Sequence, residues 1–185
     1  MKAKNSGQSA LLLLDVIDVL SKEKVPYAVI GAFAASFYGV IRGSIDADAI
    51  ISLAASTLNA QDLVRVFHKY GLPSDYREGD IDDSLKGVIK IRDKYGNRVD
   101  LITGIKGMDE DVFERTVVVP FLKHKIYLIG LEDFIAMKIF AGSPKDIEDA
   151  SGALKVSRQS VNVVLLKKLT QKYGKRELKI LESLL

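Results

Sequence analysis

The stretch that most constrains the fold is residues 44–52, SIDADAIIS, in which two acids alternate with apolar residues. Successive side chains of a β-strand point to opposite faces, so this alternation predicts a strand with one apolar face and one face that carries Asp46 and Asp48. Such a strand is stable only in a sheet whose apolar side is covered by other elements. The chain must therefore build a covered sheet on which two carboxylates lie about 6.6 Å apart on one face.

The apolar spacing elsewhere predicts helices and strands in mixed order. In the first part of the chain we expect helices at 8–23, 32–39 and 56–70 and strands at 27–31 and 44–52. The polar segment 72–85 predicts a loop or a distorted strand. Residues 87–104 predict a hairpin about a KYGN turn, and two further strands are expected within 114–122 and 125–130.

From residue 131 onward the pattern is helical, with helices expected at 131–141, 144–155, 159–173 and 175–184. Ser143 suits a helix cap and Pro144 a first helical turn. The predicted fold class is α/β (α+β), a mixed β-sheet flanked by helices. We expect it to comprise residues 1–130, followed by a C-terminal helical region at 131–185.

The composition excludes several classes of protein. The chain has no cysteine, so it has neither disulfides nor a thiolate metal site, and its two histidines are too far apart to suggest a histidine-rich zinc site. The apolar run at 11–14 is much shorter than the ~20 residues of a membrane span, and Asp15 and Asp18 interrupt the apolar segment after it, so we expect no membrane segment and no signal peptide. A cytoplasmic location is expected. The net charge of +3 alone does not argue for nucleic acid.

A third acid, Asp100, lies in the second strand of the expected hairpin. If that strand pairs beside residues 44–52, Asp100 lies about 4.8 Å to the side of Asp46 and Asp48. Each pair of carboxylates would repel by roughly 3 kcal/mol at ~5 Å and an effective dielectric constant of ~20, so the cluster must take up a proton or hold a cation. Hard oxygen ligands suit Mg²⁺ or Mn²⁺, and this arrangement serves two-metal phosphoryl transfer.

The alternative is that each of these acids is simply a solvated strand residue. Two acids separated by one residue are a weak signal, because the sequence contains the same spacing at 80–82 and at 109–111. What favours a site is the order of the surrounding segments: strand, glycine turn, helix, turn and then the acidic strand.

This order resembles the nucleotidyltransferase (polymerase β-like) superfamily. The superfamily pattern matches Ile30-Gly31-Ala32, a spacer of thirteen residues, Asp46-Ala47-Asp48 and, on a later strand, Val99-Asp100-Leu101. Residues 27–51, YAVIGAFAASFYGVIRGSIDADAII, are most similar to the minimal nucleotidyltransferases and the type IV (AbiEii) toxin-like group. Residues 131–150, LEDFIAMKIFAGSPKDIEDA, match the helical lysine and KD..D motif of that group, so the resemblance covers residues 26–150.

The resemblance implies a role for each matching residue. Asp46, Asp48 and Asp100 would be catalytic and bind Mg²⁺ (or Mn²⁺), and Asp100 would also activate the acceptor hydroxyl. Gly31 and the start of the next helix would face the triphosphate, while Ala32 lacks the hydroxyl of the serine found in many relatives. The implied nucleotide-binding residues are Gly31, Ala32, Arg42, Ser44, Lys138, Lys145 and Asp146, with Asp149 completing the helical motif.

These residues also have interpretations without a ligand. Gly31 then only ends a strand, Arg42 pairs with an acid at the surface, and Ser44 belongs to a turn. Lys138 is then a solvated helix residue, and residues 145–149 form a capped helix start in which acids favour the first turn.

The function implied is transfer of a nucleoside monophosphate from an NTP to an acceptor, which is RNA such as tRNA, a protein or a small molecule. One form of this activity is the toxin of a toxin–antitoxin pair, which implies an antitoxin partner. The alternative is a non-catalytic nucleotide-binding or regulatory module on the same fold, which the loss of the hydroxyl at Ala32 favours. The lysine-rich C-terminal helices are interpreted either as a surface for RNA or as a solvated helix face.

Overall fold

The computed structural model describes residues 2–41 and 43–185. The strands in this part of the chain are β1 (Tyr27–Val29), β2 (Asp46–Ile51), β3 (Ser74–Glu78), β4 (Gly87–Arg92), β5 (Arg98–Ile102), β6 (Val117–Phe121) and β7 (His124–Leu128). The helices are α1 (Ser9–Lys22), α2 (Gly31–Phe37), α3 (Ala60–Lys69), α4 (Leu131–Ala141), α5 (Pro144–Val156), α6 (Val163–Tyr173) and α7 (Lys175–Leu184), with a short 3₁₀ helix at Glu110–Phe113.

All seven strands form one mixed sheet in the order β3-β4-β5-β2-β1-β7-β6. The pairs β2–β5 and β1–β7 are parallel, and the other neighbours are antiparallel. The sheet is flanked by helices, as the sequence predicted. Its centre is β2, the strand that carries two of the acids.

The alternation in β2 separates the two faces of the sheet as expected. Ala47 and Ala49 are buried, as are their partners Val99 and Leu101 on β5, and α1 packs against both strands. Asp46 and Asp48 are only partly buried, on the opposite face. The apolar face therefore anchors β2 and leaves the acids on the face toward which a ligand can approach.

Several boundaries differ from those expected, and capping explains two of them. Helix α3 begins at residue 60 rather than 56, because Asn59 caps it in a reciprocal capping box with Asp62. Helix α6 begins at 163 rather than 159, because the Asn162 side chain accepts a hydrogen bond from the Leu165 amide. The polar segment expected to be a loop or a distorted strand contains the regular edge strand β3, which pairs along β4.

The C-terminal helices pack onto the sheet through α4. Phe134, Ile135 and Ala136 of α4 are fully buried, and one continuous apolar core joins the sheet residues to those of α4, α5, α6 and α7. Just before α4, the Tyr38 hydroxyl donates a hydrogen bond to the Ile129 carbonyl. The domain boundary at residue 130 stays a prediction. None of the described helices is both long and apolar enough to cross a membrane.

Candidate active site

The three predicted carboxylates lie on one face of two adjacent strands. Strands β2 and β5 are parallel, with Asp48 directly opposite Asp100 and Asp46 opposite Arg98. Residues opposite each other on neighbouring strands share a face and lie about 4.8 Å apart across the sheet. The expected strand pairing is therefore present, and the assignment of these residues as metal ligands stays a prediction.

Cations that the sequence analysis did not single out flank these acids. Lys90 of β4 lies opposite Asp100, and Arg92 lies opposite Arg98, whose Nε atom is 3.8 Å from Oδ1 of Asp46. Burial raises the pKa of Asp100, Lys90 opposes that shift, and Asp46 adds to it. The acids therefore lie on a sheet face where positive charge alternates with negative charge.

Gly31 holds its backbone against the Asp48 carboxylate. The Ile30 amide donates a hydrogen bond to the Asp48 carbonyl, and α2 starts at Gly31 with φ +66°. A Cβ atom on Gly31 would overlap Oδ2 of Asp48 and come within 3.1 Å of its Cγ. Only glycine allows this approach, and it also tolerates the positive φ without strain. Ala32, the next residue, is buried, so its side chain packs inside the protein.

Two of the predicted site residues, Arg42 and Ser44, lie in the sequence between α2 and β2. Ser44 is exposed, and its hydroxyl donates a hydrogen bond of 2.8 Å to the Asp46 carbonyl. This contact braces the backbone at the start of β2. Arg42 lies outside the described residues.

The helical motif forms a buried ionic cluster rather than a solvated surface. Lys138 Nζ lies 2.7 Å from Asp146 Oδ1 and 2.9 Å from Asp149 Oδ2, and Lys138 and Asp149 are buried. The Ser143 hydroxyl donates to Asp146 Oδ2 at 2.6 Å and accepts from the Asp146 amide, which caps α5. Burial pushes the pKa of Asp146 upward, but the hydrogen bonds from Lys138 and Ser143 outweigh it and hold the pKa below its usual value. Lys145 is exposed.

A cleft of about 230 Å³ is lined by residues of both motifs, namely Gly31, Asp48, Lys138 and Asp146, but not by Asp46 or Asp100. The rest of its lining is mostly apolar and includes Ile30, Leu85, Ile102, Ile105, Met137 and Phe140. A cleft of this size would hold one part of a substrate. A larger groove of about 550 Å³, between α1 and the turn from β4 to β5, contains none of the predicted site residues.

The donor chemistry fits a divalent cation such as Mg²⁺ or Mn²⁺. Oδ1 of Asp46 is shielded from solvent and accepts no hydrogen bond from any described residue, with Arg98 Nε 3.8 Å away, and such an oxygen gains from a cation that lies closer. Within the described ranges, no three acidic or histidine side chains converge on a single point. Mg²⁺ commonly uses only one or two carboxylates together with substrate phosphates and water, which two neighbours among Asp46, Asp48 and Asp100 can supply.

No protein-family model and no curated protein sequence matches this chain. Solved structures do match it. The solution structure of the antibiotic-resistance factor ANT(2'')-Ia superposes with a TM-score of 0.61 at 13% identity and covers 95% of this chain and 96% of that one. A crystal structure of ANT(2'')-Ia in complex with adenylyl-2''-tobramycin gives 0.58 at 14% identity, covering 90% and 96%.

Two further structures extend the comparison. A proposed nucleotidyltransferase from Thermotoga maritima has a TM-score of 0.58 at 17% identity and covers 82% of this chain and 96% of that one. The lincosamide antibiotic adenylyltransferase LnuA, bound to lincomycin, has 0.51 at 12% identity, with 83% and 99% covered. At these identities the likeness concerns the fold, which is the nucleotidyltransferase fold that the resemblance implied. Membership of the AbiEii-like group stays a prediction.

Proposed function

We propose that this protein is a nucleotidyltransferase that moves a nucleoside monophosphate from an NTP to a hydroxyl group and releases pyrophosphate. The observation that carries the proposal is the register of β2 and β5, which sets Asp48 opposite Asp100 on the face that also carries Asp46. The close approach of the Gly31 backbone to the Asp48 carboxylate supports it, because no side chain of residue 31 stands between α2 and that acid. The fold shared with adenylyltransferases gives further support.

In the proposed reaction the acceptor oxygen forms a bond to the α-phosphorus. The bond from that phosphorus to the bridging oxygen breaks, and pyrophosphate leaves with the electron pair. Asp100 is proposed to take the proton of the acceptor hydroxyl, and Lys138 with Asp146 would line the nucleotide side of the cleft. Asp46, Asp48 and Asp100 are the proposed holders of Mg²⁺ or Mn²⁺, which when bound would neutralise phosphate charge and polarise the transferred group.

The acceptor is RNA such as tRNA, a protein or a small molecule. Two structural neighbours point to small molecules, since one is in complex with adenylyl-2''-tobramycin and another is bound to lincomycin. A toxin role with an antitoxin partner also stays a proposal, and growth arrest on expression in a bacterial host would test it. A cytoplasmic location, compatible with the lack of cysteine, belongs to the same proposal.

The decisive experiment is a labelling assay. Purified protein would be freed of metal, supplied with Mg²⁺ or Mn²⁺ and incubated with each α-labelled NTP plus cellular RNA, protein and small hydroxyl compounds. We expect one class of acceptor to become labelled, and Asp48→Asn to lower the rate by about 100-fold or more.

Asp82→Asn is the matched control for that variant. Asp82 belongs to another pair of acids at the same spacing, but it is exposed in the loop between β3 and β4. The control should label acceptor at the rate of the unmodified protein. Full labelling by the Asp48→Asn variant would remove the acidic face from the mechanism.

A second candidate is a non-catalytic nucleotide-binding or regulatory module. It is favoured by the buried, hydroxyl-free Ala32 and by Arg98, whose charge lies beside Asp46 where a cation would otherwise be needed. Thermal unfolding with Mg²⁺ alone and with Mg²⁺–NTP, combined with the labelling assay, distinguishes the two candidates. A melting temperature raised by Mg²⁺–NTP in a protein that labels no acceptor would favour the module.

A further inference from the structure

Positive charge is concentrated on the two C-terminal helices. Residues 155–185 contain eight Lys and Arg against two Asp and Glu, a net charge of +6, whereas the whole chain has 27 against 24 and a net charge of +3. The remainder of the chain is therefore acidic, with a net charge of −3. The exposed cations of α6 and α7, which we call the basic surface, are Lys167, Lys168, Lys172, Lys175, Arg176 and Lys179.

The arrangement of these charges does not favour the stability of the helices. Lys175 and Arg176 occupy the first turn of α7, where the helix dipole disfavours cations. Lys168 and Lys172, like Lys175 and Lys179, lie four positions apart on one helix, and like charges at that spacing repel. Except for Lys172, which lies in the last turn of α6, the stability of the helices therefore gives no reason for this clustering.

Few acidic side chains neutralise the positive charge of the basic surface. Only Lys172 forms an ion pair with a described residue, and its partner is Asp109. The other five cations form no such pair with any residue in the described ranges. Their positive charge is thus available to a binding partner of opposite charge.

The basic surface begins next to the cleft. The ring of Phe140, which lines the cleft, stacks on Tyr173 of α6 with a centroid distance of 4.7 Å. Gly107, in the loop after β5, packs against the Tyr173 ring and the Lys172 carbonyl. One layer of side chains therefore separates the cleft from the end of α6, and a long partner bound on the helices could extend into the cleft that Asp48 lines.

We propose that the basic surface docks an RNA chain through its phosphates, which makes RNA the acceptor class of this site. The acceptor role rests on the proposed function, whereas the docking does not. Lysines that lack acidic partners suit the regular negative charge of a nucleic-acid backbone. No aromatic side chain belongs to the surface, so docking should be strongly dependent on salt and weakly dependent on sequence.

Two other classes of partner fit the surface less well. A helix that lies on a membrane needs an apolar face beside its charges, but Leu178, Leu181 and Leu184 of α7 pack against the protein core. A protein partner commonly needs a central apolar or aromatic anchor, whereas the exposed apolar residues of α6, Val163 and Val164, lie in its first turn rather than among these cations. The basic surface therefore fits a flexible polyanion better than it fits a membrane or a protein partner.

The test measures binding with neither NTP nor metal present. Fluorescence anisotropy of a labelled mixed-sequence RNA oligonucleotide would be followed between about 50 and 200 mM salt. The unmodified chain would be compared with a triple variant, Lys168→Gln, Lys175→Gln and Lys179→Gln. We expect the variant to bind about tenfold more weakly, and the slope of log affinity against log salt to fall in magnitude by about 2, since each phosphate contact on a single strand contributes about 0.7.

A second triple variant, Lys69→Gln, Lys123→Gln and Lys125→Gln, is the matched control, because it removes the same charge from exposed positions on other elements. It should bind RNA like the unmodified chain. The proposal is overturned if the unmodified chain does not bind RNA or if both triple variants weaken binding equally. It is also overturned if phosphatidylserine vesicles displace the labelled RNA at a lower phosphate concentration than unlabelled RNA does. RNA binding by a chain that labels no acceptor would retain the docking surface and reject the enzymatic proposal.

Discussion

Among single residues, Gly31 controls the position of the acid at the centre of the candidate site. Its backbone lies against Asp48 at a positive φ, so a side chain there faces both a strained conformation and a direct overlap. Gly71 also has a positive φ, of +73°, but an added Cβ there would meet no atom within 4 Å. A comparison of substitutions at these two glycines therefore separates the effect of backbone strain from the effect of displacing the Asp48 carboxylate.

We predict that Gly71→Ala lowers the free energy of unfolding by about 1–2 kcal/mol, the cost of a left-handed backbone for a residue with a Cβ, and that Gly31→Ala lowers it by at least as much. Only Gly31→Ala should also displace Asp48, and it should lower nucleotidyl transfer by about 100-fold, as expected for misplaced reacting groups. Urea unfolding and the labelling assay give the two quantities. Equal activity of the two variants would contradict a role for Gly31 in positioning Asp48.

Lys90 and Arg98 are two charged residues whose positions beside the acids could not be predicted from local sequence patterns. Lys90 and Arg98 lie in the predicted hairpin, but nothing local to them indicates that they flank Asp100 and Asp46. Their positions result from the register of β5 against β2 and β4. A register shift of one residue would have turned both side chains to the buried face.

At the level of elements, the junction of α4 and α5 depends on a buried ionic cluster. Helix α4 is apolar on almost every side, so Lys138 is an expensive residue to bury unless it is paired. Asp146 and Asp149 of α5 provide that pairing, and Ser143 positions Asp146 while it caps the helix. The motif that resembles a nucleotide-binding element therefore also joins two helices.

We predict that Lys138→Met lowers the free energy of unfolding by about 3 kcal/mol, because it leaves buried carboxylates without their cation. Lys145→Met, seven residues away and exposed, should change it by no more than about 0.5 kcal/mol. Urea denaturation of the two variants makes the comparison. Equal stability of the two variants would show that the cluster contributes nothing to the junction, and a change in NTP affinity for Lys145→Met alone would favour Lys145 as the nucleotide-binding residue.

The low pKa of Asp146 leads to a prediction about acid stability. Because the folded-state pKa lies below the ordinary value of 3.8, the ionised carboxylate stabilises the fold above that pH, and this contribution is lost as the pH falls from 3.8 through the folded-state pKa. Asp146→Asn should therefore be less stable than the unmodified chain well above 3.8, and the difference should shrink below it. Urea unfolding across this range measures the effect, with the exposed Glu148→Gln as control. A stability difference that does not change with pH would contradict a lowered pKa for Asp146 in the folded protein.

For the molecule as a whole, the feature that matters most is the single apolar core. The buried residues of α4 belong to the same core as the strands, and small residues bring the helical region close to the segment just after α2. A Cβ on Gly152 would come within 2.8 Å of Val40, and one on Gly39 would come within 2.9 Å of Val156. The region from residue 131 onward thus covers apolar surface of the preceding part.

We predict that a fragment ending at residue 130 does not unfold cooperatively, because removal of α4 exposes apolar residues that the full chain buries. Circular dichroism during heating should show a broad transition, and the fragment should bind a hydrophobic dye that the full chain does not bind. A sharp two-state transition in the fragment would instead support an independent domain at residues 1–130.

The order and type of most elements could be predicted from the sequence, because periodicity and turn residues act over a few positions. The alternation in β2 placed Asp46 and Asp48 on one face, and the cap at Ser143 located the start of α5. Strand β3 was predicted only as part of a loop or a distorted strand, because SDYRE is polar and largely exposed and becomes a regular strand by pairing with β4. Local signals were also too weak to place the caps at Asn59 and Asn162.

The contacts between distant parts of the chain were decided only by the tertiary structure. The sequence alone determined that three acids would occupy two strands, but only the pairing of β2 with β5, both packed against α1, places Asp48 opposite Asp100. The burial of Lys138 between two acids, and its place in the cleft with Asp48, likewise depend on how α4 packs onto the sheet. Local sequence controls the conformation of each segment, whereas register and burial arise from the free energy of the assembled core, to which every segment contributes.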